Sequence, residues 1–305
     1  SMPLWYVATI SDSVSGRPSH SPPAGGWSLG SGALTLNATD AAGNALAALG
    51  RTYEVRLSFD PFQPAELVIG QADFLGKAGN QGGTTAASTL NQPIDSPAVS
   101  ADGKLFISDA SNHRVLVWNA IPTENNASAD FVLGQPDFTT GTRIIQRGSH
   151  PGAGHVTVAN GKLLVTNLDA NRVVIYDAIP TDGSAVQSVV VGQVDFDTSV
   201  ATCNAATLSA PEAAILTPDG KLIVSDTAHH RIPIWNNTPT ANGVPADVVI
   251  GQDSFTHCVA NDAAPRDGTV DADADARTLY YPSGLWSGGT RLVVRDWGNK
   301  RVLVW

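Results

Sequence analysis

Glutamate and lysine are scarce in this chain. Four of its 28 acidic side chains are Glu (Glu54, Glu66, Glu124, Glu212), and five Lys are present. Both residues favour exposed helix, so their scarcity argues against a helical protein. Cysteine is limited to Cys203 and Cys258 and methionine to Met2, which excludes a disulfide framework and any repeated zinc-ligand spacing. Positive charge is also short: Lys and Arg total 18, and the net charge is -10. A chain this acidic repels a phosphate backbone and an anionic bilayer surface, so neither nucleic acid nor a membrane is an expected partner. No apolar run reaches the ~18 residues a membrane span needs, so membrane insertion is excluded too. Nucleophile elbow, P-loop and dinucleotide fingerprint are all missing. No secretory signal stands at the start, where Ser1 precedes the sole Met and reads as the remnant of a processed tag.

What the chain does have is Asp, Gly and Pro, the residues of turns, with 29 Gly and 19 Pro. Hydrophobic residues make up 42% of its 305 residues, enough for a substantial core. The composition points to an all-β protein with many turns.

The apolar segments repeat. "SDASNHRVLVWNAIPT" (108–123) returns as "TNLDANRVVIYDAIPT" (166–181), "SDTAHHRIPIWNNTPT" (225–240) and "RDWGNKRVLVW" (295–305), with a weaker copy in "ALGRTYEVRLSFDPF" (48–62). A second echo accompanies these: "VIGQADF" (68–74), "VLGQPDF" (132–138), "VVGQVDF" (190–196) and "VIGQDSF" (249–255). The recurring Arg steps by 58, 59 and 70 residues through Arg114, Arg172, Arg231 and Arg301. A period this long with no helical pattern inside it is the signature of propeller blades.

One period holds four strands. An inner strand (98–100, 155–158, 213–216, 284–286) leads through a Gly turn to "LFIS", "LLVT", "LIVS" or "LVVR". A polar turn then opens the "RVLVW" strand, and an "IPT" loop leads to an outer strand ending in "GQ". Strands apolar on both sides suit sheets packed face to face. Asp109 and Arg114 flank the polar turn, as do Asp226 and Arg231, Asp296 and Arg301, and Asn167 and Arg172. A catalytic cluster need appear once; a pair that appears in blade after blade reads as scaffolding.

"DASNHRVLVW" after a Gly turn resembles the NHL repeat, and "VLGQPDF" is similar to a variant found in large bacterial NHL proteins. The resemblance is good from about residue 90 to 305 and fades over 31–74, where Leu49 and Glu54 stand in place of Asp and Arg. It implies a β-propeller of four-stranded blades at 31–90, 91–148, 149–208, 209–280 and 281–305. The last copy ends without an outer strand, so "LWYVATI" (4–10) is expected to pair with 301–305 and close a ring of five blades, residues 1–30 being closing strand and loop. Six blades is the alternative.

Candidate sites follow from this layout. His113, Asn171, His230 and Lys300 precede each Arg, with His229 beside His230; on one face of the ring they would converge on a protein, peptide or glycan, or else be solvated turn residues. Asp95, His155 and Glu212 fall at axial levels of the inner strands. Metal-dependent lactonase or lyase propellers that this fold resembles hold a cation in the channel, which would make these three its ligands and the protein a hydrolase or lyase. The insertion 257–282 carries "DADADA", in which Asp271, Asp273 and Asp275 alternate as in an oxygen-rich Ca²⁺ loop, although Ala276 stands where that motif needs Gly. Cys203 and Cys258 follow "GQ" in successive blades, where equivalent loops lie close; a disulfide there fits an extracellular or periplasmic protein. No constellation is complete enough to name a catalytic residue, and the expectation is a binding or scaffold propeller without an obligatory cofactor.

Overall fold

The computed structural model describes the backbone of residues 30–36 and 49–55 and the whole of residues 61–305. The chain divides into two compact units, 1–65 and 66–305. In the first, β1 (Gly30–Leu36) and β2 (Leu49–Val55) form an antiparallel pair, with Gly30 opposite Val55 and Leu36 opposite Leu49. The expected pairing of 4–10 with 301–305 falls outside the described residues.

The second unit is a series of antiparallel sheets, each read from inner to outer strand in chain order. The first holds β3 (Ala98–Val99), β4 (Leu105–Asp109), β5 (Arg114–Trp118) and β6 (Phe131–Leu133). Next come β7 (Ala153–Ala159), β8 (Lys162–Asn167), β9 (Arg172–Tyr176) and β10 (Val189–Val191). The third holds β11 (Ala214–Leu216), β12 (Leu222–Val224), β13 (Ile232–Trp235) and β14 (Val248–Ile250). The last is three-stranded among the described residues: β15 (Pro282–Ser287), β16 (Leu292–Asp296) and β17 (Arg301–Val304). β3, β7, β11 and β15 neighbour one another, so the first strands lie toward a common axis. The protein is a β-propeller.

The both-sided apolar pattern has a direct cause. Successive strand residues face opposite sides of a sheet. On β8, Leu163 and Val165 join Phe106, Val115 and Val117 of the preceding sheet in one core. Leu164 points the other way, into a core with Leu222, Val224 and Trp235 of the following sheet. Ile223 in turn faces Leu292 and Val294. Each fully buried Leu, Ile or Val contributes about 1.5–3 kcal/mol, and the sheets are held together mainly by these shared layers.

The Gly turn between first and second strands closes on itself. Ser100 N–H donates to Lys104 O, Ser100 Oγ donates to Asp102, and Gly103 takes φ +90. Thr217, Asp219 and Lys221 repeat the arrangement in the third sheet. The positive φ makes Gly the natural occupant.

Candidate functional site

The repeated Asp and Arg are buried structural pairs. Arg114 Nε donates to Asp109 Oδ2 at 2.7 Å, with both side chains fully buried. The rest of the guanidinium donates to Phe138 O, Ala86 O and Thr89 O. Asp109 also accepts from Asn91 N–H (2.7 Å) and the Asn112 amide (2.8 Å). The same net recurs around Asp226 and Arg231, and a smaller one around Asp296 and Arg301, where Arg301 is 28% exposed and donates to Asp275 O and Thr278 O. A fully bonded buried pair fixes the loops entering and leaving each sheet.

The second sheet shows why its pair is Asn167 and Arg172. Asn91, Ser209 and Tyr280 each donate a backbone N–H to the Asp of their sheet. The equivalent residue here is Pro151, which has no N–H. A second carboxylate oxygen would have no donor there, and Asn167 takes the place of Asp. Leu90, Leu208 and Leu279 likewise correspond to His150, and Trp118 and Trp235 to Tyr176. His150 is fully buried, its Nε2 2.8 Å from Tyr176 Oη and its Nδ1 3.2 Å from the Asn167 amide. Burial, then the charge of Arg172, pushes its pKa down to about 3.

The residue before the Arg binds the next sheet in the first three of these sheets. His113, Asn171, His230 and Lys300 all adopt left-handed φ of 51 to 56. His113 Nδ1 accepts from Gly152 N–H (3.0 Å), Asn171 Oδ1 from Ala210 N–H (2.9 Å) and His230 Nδ1 from Tyr281 N–H (3.1 Å). These side chains clasp successive sheets together. Burial lowers the pKa of His113, and burial with neighbouring His229 brings that of His230 to about 4, so both stay neutral acceptors at pH 7. His229 stands where Asn112 and Asn299 stand in other sheets, 2.9 Å from Asp226. Lys300 is exposed.

On the axial side Asp95 comes within electrostatic reach of His155, Glu212 and Arg295, and Glu212 within reach of Arg295. Each comes from a different sheet or the segment entering it. Burial raises the pKa of Asp95, against the opposing pull of His155 and Arg295. Burial and then the charge of Asp95 raise that of Glu212, which lies 4.0 Å from Arg295. Burial lowers that of His155, whose Nδ1 is 3.0 Å from Thr157 Oγ1. Arg295 breaks the repeat. The other sheets carry Ser108, Thr166 and Ser225 at its position, each donating its hydroxyl to a backbone carbonyl of an inner segment. Arg295 instead donates Nε–H to Ser283 Oγ (2.6 Å) and leaves 58% of its side chain exposed.

In the insertion, Asp271 accepts from Ala263 N–H (2.7 Å) and Asp275 pairs with Arg266 at 3.2 Å. Among the described residues, the group that brings three ligand atoms within 4.8 Å of one another is a different one: Asp253, His257 and Asp262. Cys203 and Cys258 form a disulfide with a Cα–Cα distance of 6.0 Å. No helix among the described residues is long and apolar enough to cross a membrane.

No family model matches the chain, and no curated protein matches it. Solved structures do. A proposed phosphatase of Bacteroides thetaiotaomicron aligns at TM-score 0.46 and 11% identity, over 88% of this chain and 52% of its own. An inactive virginiamycin B lyase of Staphylococcus aureus bound to quinupristin aligns at 0.36 and 12%, over 88% and 72%. A proposed 6-phosphogluconolactonase of Bacteroides uniformis aligns at 0.36 and 11%, over 89% and 73%. This chain thus spans about half the length of the first of these proteins.

Proposed function

We propose that the protein is a binding propeller of NHL type, acting in an extracellular or periplasmic setting, and that it takes a charged peptide or glycan on its axial side. The observation that carries this is that Asp95 lies within electrostatic range of His155, Glu212 and Arg295, each of the four from a different sheet or the segment entering it, with Arg295 4.0 Å from Glu212. Residues that obey the repeat here are engaged in scaffold bonds; Arg295 departs from it and presents donors to solvent. Carboxylates and a guanidinium side by side suit a ligand bearing both hydrogen-bond donors and acceptors. His113, Asn171 and His230, by contrast, spend an acceptor on the neighbouring sheet. The disulfide supports the compartment.

The test is a peptide and glycan array probed with the native chain and with Glu212→Gln/Arg295→Gln. Hits lost in the double variant support the reading. Hits retained in full, or none on either array, would defeat it. A second reading, a hydrolase or lyase, draws on the raised carboxyl pKa values of Asp95 and Glu212, which are suited to proton donation. Turnover of an array hit, abolished by Glu212→Gln, would favour it.

A further inference from the structure

We infer that Asp253, His257 and Asp262 form a site for a first-row divalent cation of the zinc class, which pins the acidic insertion to the third sheet's outgoing loop. His257 Nδ1 lies 2.8 Å from Asp253 Oδ1 and 3.1 Å from Asp262 Oδ2. Adjacent ligands around an ion with bonds of about 2.1 Å are separated by roughly 3–3.4 Å, so both carboxylate oxygens stand close to ligand spacing from the imidazole nitrogen, and all three atoms lie within 4.8 Å of one another. One nitrogen facing two carboxylate oxygens is poorly served by hydrogen bonding alone, since Nδ1 carries at most one proton. The Asp262 side chain is fully buried, and a buried carboxylate needs a cation or several donors nearby. Its other oxygen has one long bond, from Gly268 N–H at 3.3 Å.

All three residues depart from the repeat. Asp253 occupies the place of Ala72, Pro136 and Val194, and His257 that of Gly76, Thr140 and Thr198. Asp262 belongs to the stretch that lengthens this period. Scaffold demands do not account for three departures that meet at one point. The segment is also held rigid on both sides of His257. Phe255 O accepts from Arg231, the Gln252 amide donates to His230 O and Val259 O, and Cys258 is tied to Cys203. Preorganised first ligands lower the entropy lost on binding. One imidazole and two carboxylates match zinc-class ions better than Ca²⁺, which takes oxygen ligands throughout. Asp253 and His257 are partly exposed, which leaves an entry path and room for water ligands.

The experiment is calorimetric titration of chelator-stripped full chain with zinc chloride. The native protein is expected to bind one ion per chain and to melt at higher temperature when loaded. His257→Gln and, separately, Asp253→Ala are each expected to weaken binding more than about tenfold. Asp253 is exposed, so its variant keeps the test valid even where the His257 variant misfolds. Asp273→Asn, at an exposed carboxylate of the same insertion, is expected to bind as the native chain does. No saturating site, equal affinity in the Asp253 variant, or loss in Asp273→Asn would each overturn the proposal.

Discussion

His150→Leu isolates a single buried titration. The substitution restores the residue used by the other sheets, where Leu90, Leu208 and Leu279 pack against Gly70, Gly192 and Gly251 as His150 packs against Gly134. The imidazole's pKa is about 3 in the folded chain, against about 6.5 when unfolded. Above pH 6.5 neither state holds the proton, and His150 contributes no pH dependence. Below it the unfolded chain gains a proton that the folded chain refuses, so stability falls until the pH passes the folded value near 3. At pH 4.5 the gap is two units, and at about 1.36 kcal/mol per unit the loss is about 3 kcal/mol. Urea denaturation of both proteins at pH 7.5 and pH 4.5 reads this out. Leu leaves Tyr176 Oη and the Asn167 amide short of a partner, a cost of about 1–3 kcal/mol that is the same at both pH values. The native chain is therefore expected to lose about 3 kcal/mol more than His150→Leu between the two conditions. Shifts of His113, His155 and His230 remain in both proteins and cancel. Parallel losses would refute the reasoning.

Arg114→Met is expected to cost about 3–5 kcal/mol by leaving Asp109 buried and unpaired, measured by urea denaturation at pH 7. Cys203→Ser/Cys258→Ser releases a loop of 55 residues and is expected to cost up to about 4 kcal/mol, seen as a lower melting temperature that reducing agent no longer affects. Arg295→Gln, exposed and outside the buried nets, is expected to change the melting temperature by no more than a degree or two. His230→Ala is expected to destabilise by about 1–2 kcal/mol by removing the acceptor of Tyr281 N–H, whereas Lys300→Ala stays within about 0.5 kcal/mol.

The sheets were legible in the sequence because each is one copy of a supersecondary unit, and the Asp–Arg pair announced its role by recurring. Inner-strand limits moved by a residue or two: β7 begins at Ala153 rather than His155, and β3 ends at Val99. The turn residues were harder. A left-handed His at a turn looks the same in sequence whether it faces a ligand or a neighbour. The amide that fills His113 Nδ1 is 39 residues on, and the one at His230 is 51 residues on. Asn167 read as a polar variant of Asp; its cause, Pro151, lies 16 residues earlier and acts only through the fold. The axial trio was named, but Arg295 was hidden inside a strand, and aligning the copies against Ser108, Thr166 and Ser225 is the signal that exposes it. Asp271, Asp273 and Asp275 stand out in sequence by their alternation, whereas Asp253, His257 and Asp262 do not, because a set of side chains assembled across a loop has no fixed spacing.

The central claim is that the recurring polar residues are scaffold while the departures on the axial side meet the ligand. Hydrogen exchange of the native chain with and without its strongest array ligand tests this most directly. Added protection should fall on 94–96, 153–158, 211–215 and 283–287, with the turns at 109–114, 167–172 and 226–231 unchanged. Protection confined to those turns, with the axial segments unaffected, would contradict it.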